Sequence, residues 1–270
     1  MTKKIPSLDD RYFELFARPV RACARYKPRF GTGNLAGLSV QEFQELYASD
    51  AFYNWIGLDS PLMYAAHKAA GGMTSIYRQI GIGCQWIFRQ VLIDQLGLTE
   101  KQVSWSYDVP VPGGKARRLT LDGRIEFNDV ANKAQRKKLE AWVASAQDRL
   151  LLDRTARRGV RGVVFEVRQG YKSMDSKRQN ADISNASSAY AHHYVPALVL
   201  MSGQIDQVLV QRYSQSFWLL LKGTRSGSPL DSTYSFCRDV LGYDLAEFFQ
   251  RNSKRFKHEL ESVLSTLLQP

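Results

Sequence analysis

The 270-residue chain has no apolar run approaching the ~18 residues that a membrane-spanning helix needs, so no helical membrane protein is expected. Its opening residues, MTKKIPSLDD, lack the apolar stretch of a signal peptide. Cysteine is scarce. Cys23, Cys84 and Cys237 are odd in number, far apart and without metal-ligand spacing, and they read as free thiols of a reducing compartment, the cytoplasm first. The four histidines, His67, His192, His193 and His258, are too scattered for an HNH or zinc site. A phosphate-binding loop, a nucleophile elbow, internal repeats, low-complexity segments and a Pro/Gly/Ser-rich linker are also missing. A single domain over 1–270 is therefore expected, with a helical N-terminal region (1–80), a core (84–223) and a C-terminal helical region (224–270).

What the chain does have is a core-forming composition and positive charge. Hydrophobic residues make up 44% and charged residues 23%, ordinary for a globular protein. Lys and Arg number 37 against 26 Asp and Glu, a net charge of +11. So basic a chain suits a polyanionic partner, nucleic acid or an anionic membrane surface.

Periodicity gives an α/β class. Residues 1–75 read as mostly helical, with loops at Gly31-Thr32-Gly33 and Gly71-Gly72. Ile87, Phe88, Val91, Leu92 and Leu96 keep helical spacing up to Gly97, where a helix would cap. Val103, Trp105, Tyr107 and Val109 then alternate with polar residues, and Leu119, Leu121, Ile125 and Phe127 alternate again beyond a Pro-Gly turn, predicting one β-hairpin. A helix is predicted over 131–151. The run Gly162 to Arg168 is apolar and β-branched, as in a buried central strand. A helix over 180–194, strands over 195–201, 207–212 and 217–221, and an amphipathic helix over 244–268 complete a mixed sheet flanked by helices.

Two carboxylates stand out. Asp122 precedes Gly123 within a strand, a pairing that suggests a β-bulge or a close approach to the backbone, although taken alone a turn or a salt-bridged surface Asp is the favoured reading. Glu166 lies inside an apolar strand, where an unpaired charge would cost several kcal/mol, so it is paired or it holds a cation. Arg168, two residues on and on the same face, makes a structural Glu166–Arg168 ion pair the competing explanation. Directly after the strand comes a dense polar run, Gln169 to Asp182, rich in side chains suited to phosphates and base edges. Tyr190, Tyr213 and Trp218 could stack on bases, although aromatics in apolar segments usually belong to the core.

An Asp in one strand followed by an apolar strand carrying Glu-x-(Lys) resembles the PD-(D/E)xK nuclease superfamily, in particular its Type II restriction endonucleases. The likeness covers roughly 84–223 and is carried chiefly by Phe165-Glu166-Val167-Arg168-Gln169-Gly170-Tyr171-Lys172 through Asp182. It implies a restriction-endonuclease-like sheet, Asp122 and Glu166 as Mg²⁺ ligands, and double-stranded DNA as substrate. It departs from the pattern at Leu121, where a Pro would precede the Asp, and at Arg168, where the catalytic Lys would stand. Arginine stabilises charge but cannot serve as a base. Lys172 is the nearest lysine and is ranked ahead of Arg168 for the catalytic cation.

Some family members that cut CCGG-containing sites carry a further metal-binding carboxylate on the helix after the catalytic strand. Thirteen residues intervene between Arg168 and Asp182, a similar spacing, which makes Asp182 a third metal candidate. Gln85 and Asp94, on the helix resembling the superfamily's first, are candidates for the metal shell. Lys177, Arg178, Gln179 and Asn180 are the expected base- and phosphate-contacting segment, with Arg154, Arg157, Arg158 and Arg161 adding phosphate affinity. The resemblance further implies a homodimer on a palindromic site and a cognate DNA methyltransferase in the same system. A repair or recombination nuclease, a non-catalytic DNA-binding protein and an RNA-binding or regulatory protein remain open alternatives.

Overall fold

The computed structural model describes residues 7–109, 116–170 and 176–269, without the side chains of Val109, Arg117, residues 176–181 and Ile183. The chain runs α1 (Leu8–Arg21), α2 (Val40–Ala48), α3 (Ala51–Trp55), α4 (Pro61–Leu96) and α5 (Glu100–Val103) before its first strand. Then come β1 (Trp105–Val109), β2 (Arg117–Leu121), β3 (Gly123–Glu126), α6 (Lys133–Arg149), α7 (Arg154–Arg157) and β4 (Gly162–Arg168). The remainder is α8 (Ser176–Ala191), β5 (Tyr194–Leu200), α9 (Gln207–Gln215), β6 (Leu219–Leu221), α10 (Thr233–Ser235), α11 (Leu245–Arg251) and α12 (Ser253–Leu268). The class is mixed α/β. Among the described residues no helix is long and apolar enough to cross a membrane.

Two compact units emerge, Met1–Gly83 with Arg251–Pro270, and Cys84–Gln250. The stretch 224–270 is thus shared between them. The first unit is helical. Phe13 of α1 packs its ring 4.8 Å from that of Phe256 of α12, and Arg21 donates to Glu259 at 2.7 Å.

One expectation fails here. Gly71-Gly72 is not a loop but lies inside α4. A Cβ on Gly71 would stand 2.0 Å from the Tyr26 hydroxyl oxygen, and one on Gly72 2.8 Å from Leu267, so these glycines admit close neighbours and break nothing. Asn252 likewise divides the single helix expected over 244–268 into α11 and α12.

The second unit holds the sheets. Its main sheet has the order β3-β4-β5-β6, with β3 antiparallel to β4 and the last three strands parallel. On one face Phe165 of β4 meets Phe88 of α4 and Phe236, and the Phe236 ring in turn lies 4.5 Å from that of Trp142 of α6, tilted to it. On the other face Val164, Leu198 and Leu200 pack against Ala186 and Ala189 of α8 and Leu209 and Tyr213 of α9. Helices therefore cover both faces. The end of α4 is closed at Gly97, whose φ of +66° places it in the left-handed region. Leu98 N–H returns to Ile93 O at 3.1 Å, a Schellman closure.

Two further expectations are corrected. The strand predicted over 207–212 is the helix α9: Asp206 caps it, and Leu209 and Tyr213, four residues apart, form its buried face. The second hairpin strand is really two strands. β2 pairs with β1, whereas β3 pairs with β4 in the other sheet, and the chain changes sheets at Asp122.

Candidate functional site

The change of sheet fixes Asp122 through three separate groups. Its N–H reaches the carbonyl of Phe165 at 2.8 Å, and Phe165 also pairs with Gly123. Two residues of one strand thus face one of the other, the count of a β-bulge. Its carboxylate Oδ2 accepts the Val167 N–H at 2.8 Å and the Gln85 side-chain amide at 3.1 Å. Its carbonyl accepts both Nε and Nη2 of Arg89, at 3.0 and 2.9 Å. Asp122 therefore touches the two residues that flank Glu166. Burial raises its carboxyl above the ordinary aspartate range, outweighing the Val167 amide, the Arg168 and Arg89 charges and the Gln85 amide, all of which pull it down.

Glu166 is buried within β4, and its Oε1 lies 2.8 Å from Nη2 of Arg168. The ion pair that was the competing explanation for Glu166 is present. Arg168 is shared: the same nitrogen lies 3.1 and 3.2 Å from the two oxygens of Asp182 on α8. Asp182 is itself only 2% exposed. It also receives the Tyr213 hydroxyl on Oδ2, and its backbone carbonyl receives the indole N–H of Trp218 at 3.1 Å. Tyr213 and Trp218, considered as base-stacking residues, are instead buried. One turn along α8, Asn185 accepts the Tyr107 hydroxyl. Arg168 and Glu166 lie at the carboxyl end of β4, the end of a parallel sheet where open α/β folds gather functional groups.

Asp122, Glu166, Arg168 and Asp182 are thus brought into one neighbourhood, joined by Gln85. Asp94 is not; it accepts from Gln90 on its own helix. Arg161 is not either: it precedes β4, seven residues before Arg168, or roughly 23 Å along an extended strand. There it pairs with Glu126 and Tyr194. Arg158 is exposed after α7, and Arg157 is bound to Asp148. Lys172 lies outside the described residues. Lys177, Arg178, Gln179 and Asn180 fall in the first turns of α8, where the backbone alone is described. Sequence reading passed over Arg89, whose only signal was its place one helical turn after Gln85 on the same face.

Among the described residues no group of three or more His, Cys, Asp or Glu side chains converges as a metal centre. Three carboxylates, Asp122, Glu166 and Asp182, are set against two guanidiniums, those of Arg89 and Arg168. Oxygen donors with excess negative charge are the ligand chemistry of a hard divalent cation such as Mg²⁺. Cys84 and Cys237 are buried in the same unit, and burial pushes the Cys84 thiol up to about 12, so it stays protonated and unreactive near neutrality. No family model, curated protein or solved structure matches the chain.

Proposed function

We propose that the chain is a Mg²⁺-dependent endonuclease cutting double-stranded DNA at specific sites, of the Type II restriction kind. The observation that carries this reading is the bulge holding Asp122 against Phe165 and Val167, on either side of Glu166. Asp122 and Glu166 would hold the metal. Bound there, Mg²⁺ would supply water activation and charge neutralisation at a scissile phosphate. Arg168 serves as a fixed cation for the transition state, a part that needs charge and no proton transfer. Asp182, both of whose oxygens receive Arg168, orients that guanidinium through the support of Tyr213 and Trp218. Lys172 is a second candidate cation. Lys177 and Arg178 would grip phosphates, while Arg178, Gln179 and Asn180 suit base edges in the major groove. A cytoplasmic homodimer on a palindromic site, paired with a separate methyltransferase, completes the reading by analogy.

A second reading, DNA binding without cleavage, is favoured by one observation: Arg168 already pairs with both Glu166 and Asp182. Digestion of phage DNA with and without Mg²⁺ separates the two. Discrete fragments formed only with Mg²⁺, and lost in Asp122→Ala and Glu166→Ala variants that still bind DNA, support the nuclease. Cleavage above about a tenth of wild type in either variant, under ~1.4 kcal/mol of lost barrier stabilisation, overturns the assignment.

A further inference from the structure

Arg89 lies on α4 one helical turn beyond Gln85, so both side chains leave the same face of the helix. They take different parts of one residue. Gln85 donates to the Asp122 carboxylate, whereas Arg89 sends Nε and Nη2 to the Asp122 carbonyl. That difference matters. A part-buried guanidinium beside a carboxylate normally forms the bidentate salt bridge and cancels its charge. Here the fork closes on the neutral carbonyl, at the point where the chain passes from the β1–β2 hairpin into the main sheet. The carboxylate is met instead by neutral donors, the Val167 N–H and the Gln85 amide.

We propose that Arg89 is a positioning residue: its double hydrogen bond to the Asp122 carbonyl holds the bulge that presents the Asp122 carboxylate, without itself hydrogen-bonding the carboxylate oxygens. The inference rests on the metal-site reading above. A bulge has no regular ladder to hold it, and its geometry depends on what binds its irregular backbone groups. Removing a carbonyl's charged partner costs more than removing a neutral one, and the loss falls at the bulge before it reaches the strand centre. Lysine keeps the charge but cannot reproduce the planar fork, so it restores the clamp in part.

The test uses the full chain, with Mn²⁺ as probe, followed by electron paramagnetic resonance. Amide exchange is read in parallel at Val167, beside the bulge, and at Val164, in the middle of β4. Arg89→Met is expected to bind Mn²⁺ at least tenfold more weakly and to exchange the Val167 amide at least tenfold faster, with Val164 unchanged. Arg89→Lys falls between Arg89→Met and wild type, and it decides the matter by the same two readings if the methionine variant does not fold. Unchanged Mn²⁺ affinity, or unchanged Val167 exchange, overturns the inference. So does equal acceleration at Val164, which marks a merely structural role. A wild-type chain that takes up no Mn²⁺ overturns the metal reading itself, and that result is visible before any Arg89 variant is made.

Discussion

Arg168 and Asp182 meet through a single guanidinium nitrogen that lies 3.1 and 3.2 Å from the two carboxylate oxygens. That nitrogen is also 2.8 Å from Glu166, so one cation ties the central strand to the following helix. Breaking such a buried arrangement from the cationic side leaves two carboxylates without their shared counter-charge.

Arg168→Ala should therefore lose roughly 3–5 kcal/mol of stability, the usual cost of deleting one partner of a buried ion pair. Urea unfolding measures it. Arg168→Lys should lose less, and under the nuclease reading it should keep most of the cleavage activity. Equal stability of the Ala variant and wild type would show that the pairs contribute little.

Tyr213→Phe removes the hydroxyl that Asp182 accepts and leaves the ring in the core. A hydrogen bond to a charged group contributes about 1.5–3 kcal/mol, so a destabilisation of that order is expected. A double-mutant cycle with Arg168→Ala should give a non-additive result, because both side chains act on the same carboxylate.

In the helical unit, Arg21 beside Glu259 holds that carboxyl below the ordinary glutamate range. A depressed carboxyl contributes stability above its unfolded value, ~4.3, and loses it as pH falls through the lower folded value. Stability should therefore decline on acidification below about pH 5, and Glu259→Gln should flatten that decline while lowering stability near neutrality. Thermal unfolding of both proteins from pH 3 to 7 tests the slope.

Gly71→Ala sets helix propensity against packing. Alanine favours the helix by ~1 kcal/mol over glycine. Its Cβ, however, would stand 2.0 Å from the Tyr26 hydroxyl oxygen, and such overpacking costs about 1–3 kcal/mol. A net loss of stability is expected, recovered only in part by adding Tyr26→Phe, which removes the nearest clashing atom but leaves ring carbons at 2.5 and 2.8 Å. A net gain would mean that Tyr26 moves aside freely.

Much of the core was legible because its signals are local. The apolar run of β4 read as a buried strand, and Glu166 within it was to be paired or to hold a cation. What escaped depended on distant partners. Gly71-Gly72 looks like a loop until Tyr26 and Leu267 are seen against it. Residues 207–212 read as a strand, although Leu209 and Tyr213 carried the helical spacing and Asp206 the cap. The division of β2 from β3 was not legible, since nothing near Asp122 announces that β3 pairs with a strand some forty residues away. Nor could spacing alone foresee that Asp182 would be engaged by Arg168, Tyr213 and Trp218.

The order of these partners along the chain has a consequence for synthesis. Asp122 emerges early, Glu166 and Arg168 only after α6 and α7, and the Tyr213 and Trp218 that secure Asp182 later still. A nascent chain halted before α9 would carry every acidic group of the site yet lack the indole and phenol that fix one of them. Because domains fold as units once their elements are available, a truncated product ending near residue 200 should, under the nuclease reading, be inert toward DNA. The centre would be complete only once Trp218 has been added.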